Sequence, residues 1–198
     1  MDTDQLLHRV AAGEPTAAAT LLTRHRERLR RMVEMRLDAR LASRLDPSDI
    51  VQDVMVEAHK RLATYVERRE IPFYPWLRAI AWDKLIEMNR RHIAAERRSV
   101  RREADRLDLS GDSEMILIDR LATATRTPND QLIQREITAR VRQAIEELKP
   151  IDREVIVLRH LEELSFPETA AVLQLSETTV YSRYRRAIER LHRVLHEA

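Results

Sequence analysis

Glycine is almost absent from this chain, at 2 of 198 residues. Tight strand turns, β-bulges and phosphate-binding loops rely on glycine, because they need positive φ or a close approach of the backbone. Apolar side chains instead recur at i, i+3 and i+4 over long stretches, which is the spacing of amphipathic helices. Aromatic residues make up only 4% of the chain. The sequence therefore predicts an all-α fold.

Residues 165–195 have the pattern of two short helices joined by a tight turn. Ser165 and Glu168 form a capping box for the first helix, and Ser176 can cap the second. One side of the second helix is an apolar stripe of Val180, Tyr184, Ala187, Ile188, Leu191 and Leu195. The other side carries Thr178, Ser182, Arg185, Arg186 and Arg193. This arrangement is typical of a helix-turn-helix that faces a DNA major groove, and an ordinary helical hairpin is the alternative.

Residues 45–59 contain four acidic side chains and no lysine or arginine. A break at residues 45–48, where Pro47 can open a helix, precedes a predicted helix over residues 49–65. In that helix Asp49, Gln52, Asp53 and Val56 share one face, at i, i+3, i+4 and i+7. Such a face suits docking to a basic helical partner, and a solvated helix surface is an equally good interpretation.

Aromatic and arginine side chains alternate around a loop predicted over residues 66–75, where two prolines disfavour helix. They are Arg68, Arg69, Phe73, Tyr74 and Trp76. Rings that stack on unpaired bases beside guanidinium groups that hold phosphates suit single-stranded nucleic acid. Packing inside a helical bundle is the alternative, and it is favoured for Trp76 and, less strongly, for Trp82.

Charge is unevenly distributed, although the formal net charge is only +2. Residues 84–102, in a fourth predicted helix over 75–92 and its continuation, carry seven basic side chains against two acidic ones. That density favours contact with a phosphate backbone. An acidic segment and a basic segment in one chain indicate two partners of opposite charge.

The remaining helices are predicted over residues 4–12, 16–41, 131–148 and 152–161. Helical periodicity is lost over residues 107–130, apart from a short apolar patch at 115–118. We therefore predict two small helical domains, residues 1–98 and 131–198, joined by a linker over residues 99–130. The helix-turn-helix lies in the C-terminal domain.

The chain offers little for catalysis. It has no cysteine, which excludes disulfides and thiolate metal sites and suits a reducing cytoplasm. His192 and His196 stand at i, i+4 without the carboxylate of a zinc motif, so no metal site is expected. No nucleophile or phosphate-loop motif is present, so we expect neither enzyme activity nor a cofactor. No apolar run suits a membrane span or a signal peptide, and a cytoplasmic protein is expected.

Two blocks of sequence resemble the bacterial RNA polymerase sigma factors of the extracytoplasmic-function (ECF) type. Residues 49–58 (DIVQDVMVEA), 76–81 (WLRAIA) and 89–91 (NRR) are similar to the second conserved region of that family. Residues 148–159 (LKPIDREVIVLR), 164–171 (LSFPETAA) and 179–183 (TVYSR) are similar to its fourth. The order and spacing of the blocks also match, and the resemblance covers nearly the whole chain.

The resemblance implies that core RNA polymerase and promoter DNA are the partners, with an anti-sigma factor as an optional further one. The polymerase clamp would be bound by Asp49, Gln52, Asp53 and Val56. The minus-ten element would be read and melted by Arg68, Arg69, Tyr74, Trp82, Lys84, Arg90 and Arg91. The minus-thirty-five element would be read by Thr178, Thr179, Tyr181, Ser182, Arg185 and Arg186. No membrane contact is implied.

Three positions depart from the family pattern. Tyr181 stands where lysine or arginine is common, which bears on base preference. Gln174 replaces the usual glycine of the turn, and Trp82 with Asp83 replaces an Arg-Asn pair. Two other functions fit parts of the chain: a stand-alone regulator of the LuxR kind, which would need a sensory N-terminal domain, and a polymerase-binding adaptor or antagonist, which would give no promoter-directed initiation.

Overall fold

The computed structural model describes residues 2–37, 45–96, 116–118 and 131–196. Within these ranges every regular element is helical, so the predicted all-α class is confirmed. Two compact units are present, Met1–Glu103 and Ala104–Ala198. The first contains α1 (Thr3–Ala11), α2 (Ala17–Arg36), α3 (Pro47–Arg68) and α4 (Phe73–Glu96). The second contains α5 (Gln131–Glu146), α6 (Pro150–His160), α7 (Phe166–Leu173) and α8 (Glu177–His196).

The start of α3 follows from its capping residues. The Asp46 carboxylate accepts a hydrogen bond from the Ser48 amide at 2.7 Å, and Pro47 occupies the first turn. Proline is tolerated there because the first helical N–H groups have no partner within the helix. The helix ends at Arg68, and the next residue, Arg69, adopts the left-handed conformation at φ 44°. It is therefore longer at both ends than the predicted span of residues 49–65.

The loop predicted over residues 66–75 is shorter in the structure. Because α3 extends to Arg68 and α4 begins at Phe73, the connection consists of residues 69–72. Pro75 lies in the first turn of α4, where its missing N–H costs no intrahelical hydrogen bond. The two prolines therefore lie at the start of α4, one just before it and one in its first turn. The predicted loop, in which both prolines disfavour helix, is wrong for residues 66–68 and 73–75.

The helices of the first unit enclose a single apolar core. Its fully buried members include Leu21, Leu29, Met32, Ile50, Val51, Val54, Ala58 and Leu77. The apolar stripes of α2, α3 and α4 converge on it, and Leu6 and Leu7 close one side from α1. Burying these side chains fixes which faces of α3 and α4 remain exposed.

The second unit contains the expected helix-turn-helix, formed by α7 and α8. Ser165 and Glu168 form the capping box at the start of α7. The turn has no glycine, and Gln174 takes the left-handed conformation in its place, at φ 55° and ψ 42°. Such a conformation costs an ordinary residue about 1–2 kcal/mol. The small core of Val155, Ala170 and Val180 holds the two helices together in spite of that cost.

Several predictions fall partly outside the described residues. The predicted helix over residues 16–41 is described to Leu37, and α2 ends at Arg36. Of the predicted linker 99–130, only residues 116–118 are described, as a helical turn in which Leu117 and Ile118 are buried. In the described ranges, none of the helices combines the length and the apolar character that crossing a membrane requires.

Candidate nucleic-acid interface

The polar side of α8 faces solvent, because the opposite stripe is packed into the second unit. Val180, Ala187 and Leu191 are buried. On the other side five of the six residues predicted to read DNA are exposed: Thr178, Tyr181, Ser182, Arg185 and Arg186. These five residues are called the α8 reading face below. The structure thus brings these five predicted residues together on one surface.

The sixth predicted residue, Thr179, contacts the residue that caps α8. Its hydroxyl lies 2.7 Å from the Ser176 hydroxyl, and its amide donates to the same oxygen at 3.2 Å. Because an N-cap hydroxyl satisfies one of the first helical N–H groups, Ser176 fixes the start of α8 and Thr179 is part of that cap. Thr179 is half-buried, and its hydroxyl and amide both contact the capping hydroxyl of Ser176.

The two arginines of the α8 reading face are only loosely held. Arg185 Nε lies 3.4 Å from the Glu189 carboxylate one turn further along, and both side chains are exposed. Arg186 Nε donates to the Ser182 carbonyl at 3.3 Å. An exposed ion pair such as Arg185–Glu189 contributes about 0–1 kcal/mol, so Arg185 can exchange it for a phosphate or a base edge at little cost.

An ion pair that sequence reasoning missed fixes α8 against α6. Arg183 Nη1 donates to Asp152 Oδ1 at 2.8 Å, across 31 positions of the chain. Both side chains are largely buried, and the Arg183 Nε has no hydrogen-bond partner in the described part of the structure. One signal was available in the sequence, because Arg183 falls beside the apolar stripe of α8, where a charge needs a partner.

Asp152→Ala is expected to lower the free energy of opening of α8 by about 2–4 kcal/mol, because it strands a mostly buried guanidinium. Hydrogen exchange of the α8 amides measures this energy directly. The control is Glu147→Ala, whose partner Arg190 lies at the same 2.8 Å but is about half exposed. That change should cost less than about 1 kcal/mol. Equal losses in both variants would contradict a special role for the buried pair.

Aromatic side chains connect the start of α7 with the reading helix. The ring of Phe166 meets Tyr181 and Tyr184 edge-on, each at a centroid distance of 5.5 Å. The Arg159 guanidinium lies 4.2 Å from the Phe166 centroid, and His160 stacks on Tyr184. Edge-to-face pairs add about 0.5–1.5 kcal/mol beyond the area they bury. Phe166 therefore fixes the orientation of the first turns of α8.

The predicted acidic face of α3 is exposed in the first unit. Asp49, Gln52, Asp53 and Val56 all point to solvent, and 49% of Val56 is exposed despite its apolar side chain. Gln52 accepts a hydrogen bond from Arg26 at 3.3 Å. Asp53 forms an ion pair with Lys84 of α4 at 3.0 Å. These four residues, called the α3 docking face below, combine a negative charge with one apolar contact point.

A shallow groove runs between α3 and α4 beside this face. Its volume is about 370 Å³. Side chains of both charges line it, together with a few apolar ones: Asp53, Val54, Val56, Glu57, Lys60, Arg61, Ile80, Asp83, Lys84 and Glu87. In the described part of the chain, no three His, Asp or Glu side chains come together as a metal site requires. Because acidic and basic side chains both line it, the groove suits contact with charged side chains of another molecule.

The residues predicted for the minus-ten element do not form one surface. Tyr74 is only 2% exposed, and its hydroxyl donates to the Arg28 carbonyl at 3.3 Å. Its ring lies against the Arg28 guanidinium, 3.7 Å away. Tyr74 is therefore a packing residue in this conformation and offers no face on which a base could stack. The sequence-based assignment of Tyr74 to DNA is not supported by this placement.

Trp82 and Lys84 lie on opposite sides of α4, because two residues correspond to about 200° of helical rotation. Trp82 is half-buried beside two largely buried arginines, with guanidinium carbons at 5.5 Å for Arg36 and 5.3 Å for Arg78. Lys84 turns toward α3, where it meets Asp53. Trp82 also packs against the core of the first unit, and as a residue it remains partly exposed.

The basic residues at the two ends of α4 are widely separated. Arg68 and Arg69 precede its start, whereas Arg90 is exposed near its other end, about 25 Å along the helix. The side chain of Arg91 lies outside the described residues. The loop beside Arg69 is held by the Tyr65 hydroxyl, which donates to the Ile71 carbonyl at 3.0 Å. Burial raises the pKa of Tyr65 to about 12, so this donor remains protonated at neutral pH.

Trp76 packs face-to-face on Tyr65, with the ring centroids 4.5 Å apart. Phe73 approaches the same pair, at 5.6 Å from Tyr65 and 5.5 Å from Trp76. This cluster closes the corner between α3 and α4, as expected from the packing alternative for Trp76. This aromatic cluster thus lies beside the loop of residues 69–72.

A helix-turn-helix with an exposed basic reading face, in a chain with a second helical unit, defines a DNA-binding protein of the helix-turn-helix class. Comparison with known families gives two matches, Sigma-70 region 2 over residues 21–95 and Sigma-70, region 4 over residues 138–191. The chain belongs to the sigma-70 family of RNA polymerase sigma factors, and several relatives that match it over nearly their full length are named ECF RNA polymerase sigma-E factors.

Several relatives match over almost their whole length. The RNA polymerase sigma-H factor of Pseudomonas aeruginosa is 30% identical over 192 residues, which are 96% of this chain and 92% of the relative. The ECF RNA polymerase sigma-E factor of Escherichia coli K12 is 30% identical, with coverages of 94% and 91%. Among solved structures, CnrH in complex with the cytosolic domain of CnrY is 27% identical with a TM-score of 0.51. That match covers 98% of this chain and 97% of CnrH.

Proposed function

We propose that this chain binds core RNA polymerase, directs it to specific promoters and helps to open the DNA. The observation that carries the proposal is the presence of both sigma regions in one chain, together with near full-length similarity to ECF sigma-E factors. The relatives are transcription initiation factors, and we propose that this chain likewise has no catalytic residue or cofactor of its own. It would act in the cytoplasm, where polymerase and DNA are found.

The α8 reading face is proposed to contact the minus-thirty-five element. A recognition helix presents its first turns to base edges in the major groove, and the exposed residues of this face occupy those turns. Arg185 and Arg186 supply the donors that guanine edges or phosphates accept. Thr179 supports the contact through the cap it shares with Ser176.

The α3 docking face is proposed to bind the polymerase clamp. Exposed carboxylates at Asp49 and Asp53 would meet basic residues of the partner, and Val56 would supply an apolar contact. Charge complementarity of this kind steers association and selects among partners. CnrH is described in complex with the cytosolic domain of CnrY, and we propose that this chain also has a regulatory protein partner, an anti-sigma factor.

Contacts with the minus-ten element are proposed for Arg68, Arg69, Arg90 and the accessible part of Trp82. The arginines would hold backbone phosphates, and the indole edge would meet an unstacked base. Extruding one base from the duplex costs a few kcal/mol, which binding to polymerase and to the minus-thirty-five element would supply. Lys84, on the opposite side of α4 from Trp82, would be able to contact a phosphate only after leaving Asp53. Residues 1–98 and 131–198 are proposed as the two functional modules, with residues 99–130 joining them.

Run-off transcription with purified core polymerase tests the proposal. A sigma factor makes initiation at a defined start site depend on the added chain. A stand-alone regulator would bind duplex DNA without polymerase and leave core-directed initiation unchanged. An adaptor or antagonist would co-elute with polymerase, yet no start site would depend on it. Either of the last two results would refute the proposed function.

A further inference from the structure

We propose that Tyr181 is a specificity residue that recognises the C5 methyl group of a thymine in the minus-thirty-five element. The inference deepens the proposed function, because it assigns a base feature to one residue of the α8 reading face. It depends on three observations: the exposure of the ring, the contact that orients it, and its place on α8.

Tyr181 is exposed to an unusual degree for an aromatic residue. Of the large hydrophobic side chains in the described residues, it has the largest exposed fraction, at 56%. Leaving an apolar ring in water is unfavourable by an amount proportional to its exposed area. A partner surface that covers the ring would therefore bind more tightly. The ring lies on the α8 reading face, together with Arg185.

The ring is already oriented before any partner binds. Phe166 contacts it edge-on, with centroids 5.5 Å apart and planes inclined at 61°. Phe166 is itself held by Tyr184 and by the Arg159 guanidinium. Because the side chain is held in place by these contacts, little conformational entropy remains to be lost on binding. The exposed carbon face of the ring thus forms an oriented apolar surface, with the phenol hydroxyl at its tip.

The position of Tyr181 on α8 indicates which feature of DNA the ring can contact. Tyr181 lies in the second turn of α8, three residues after Thr178 and four before Arg185, so the three side chains form one row. The first turns of a recognition helix are those that reach base edges in the major groove. In that groove, the C5 methyl of thymine is the apolar feature of the base edges, and aromatic side chains can contact it. The carbon face of the ring therefore matches a thymine methyl, whereas a phosphate could be contacted only by the hydroxyl.

Uracil scanning of the promoter tests this assignment. Holoenzyme reconstituted from core polymerase and the full chain first selects its minus-thirty-five element from a pool of randomised duplexes. Each thymine of the selected element is then replaced by deoxyuracil, which removes only the methyl group. One replacement is expected to weaken wild-type binding about fourfold, which corresponds to about 0.8 kcal/mol for one buried methyl.

The variants Tyr181→Ala and Tyr181→Phe locate the effect. Tyr181→Ala should bind the thymine and uracil duplexes equally, whereas Tyr181→Phe should keep the fourfold ratio because it keeps the ring. Each ratio compares two duplexes with the same protein, so it does not depend on the fraction of protein that is folded.

Several results would overturn the inference. The first is a selected element in which no replacement of thymine by deoxyuracil weakens binding. The second is a thymine-to-uracil affinity ratio that stays unchanged in Tyr181→Ala. The third is a ratio that falls to one in Tyr181→Phe, which would assign the contact to the hydroxyl. Failure to select any sequence would instead refute the proposed function itself. The two failures are therefore distinguishable in one experiment.

Discussion

Replacing Arg185 and Arg186 together by alanine is expected to weaken promoter binding by about 2–4 kcal/mol, which is about thirtyfold to a thousandfold. Both guanidinium groups are exposed on the α8 reading face, and their present contacts are weak ones to Glu189 and to the Ser182 carbonyl. Each phosphate contact that is lost should also lower the slope of log affinity against log salt by about one. Titration of labelled promoter duplex with holoenzyme at several salt concentrations measures both quantities.

A matched control separates this effect from a general loss of positive charge. Arg142→Ala with Arg190→Ala also removes two arginines from the second unit, but outside the α8 reading face. Arg190 forms its ion pair with Glu147 of α5, at 2.8 Å. This pair of changes should reduce affinity by less than tenfold. If the two double variants lose affinity equally, long-range charge explains the result and the two arginines of the reading face have no special role.

Asp53→Arg is expected to abolish stable association with core polymerase. The change places a cation at the centre of the α3 docking face, where the partner is proposed to be basic. Unfavourable charge juxtaposition at an interface costs several kcal/mol. The fold should be unaffected, because the Asp53 side chain is 57% exposed and its ion pair with Lys84 contributes at most about 1 kcal/mol. Size-exclusion co-elution with core polymerase measures the association, and circular dichroism checks the helical content.

Two further variants make the Asp53 result specific. Glu27→Arg reverses an exposed acid on α2, outside the α3 docking face, and should leave co-elution intact. Lys84→Ala removes the ion pair while keeping the Asp53 carboxylate, and it should also retain polymerase. Normal co-elution of the Asp53→Arg chain would remove this residue from the docking surface. Loss in the Lys84→Ala chain would show that the ion pair, and not the carboxylate alone, is needed.

Local signals predicted the helices well. The capping box of Ser165 and Glu168, and the proline that opens α3, depend on residues that are close in sequence. The apolar stripe of α8 is also a local pattern, and it correctly divides the buried side from the α8 reading face. These features could be predicted because a helix places its faces by a fixed rotation per residue.

Contacts between distant segments could not be predicted in the same way. The aromatic and arginine residues around Tyr74 give the same sequence pattern whether they pack inside the protein or bind nucleic-acid bases. The approach of Arg28 and of the His25 ring from α2 is a contact between distant segments, and it shows that Tyr74 packs inside the unit. The partners Asp152 and Arg183 are 31 positions apart, and no local pattern relates them. The error at the predicted loop over residues 66–75 had another origin, because Pro75 was interpreted as a helix breaker when it lies in a first turn.

The contact between Asp53 and Lys84 has a consequence for the order of assembly. One carboxylate of the α3 docking face is neutralised by the amine of the helix that is proposed to meet melted DNA. If Asp53 binds a basic residue of polymerase as proposed, that residue would compete with the Lys84 amine and would release it to hold a phosphate. The free chain would then bind DNA more weakly than the same chain in complex with core polymerase. The Asp53 carboxylate would in this way disfavour binding to promoters before polymerase is bound.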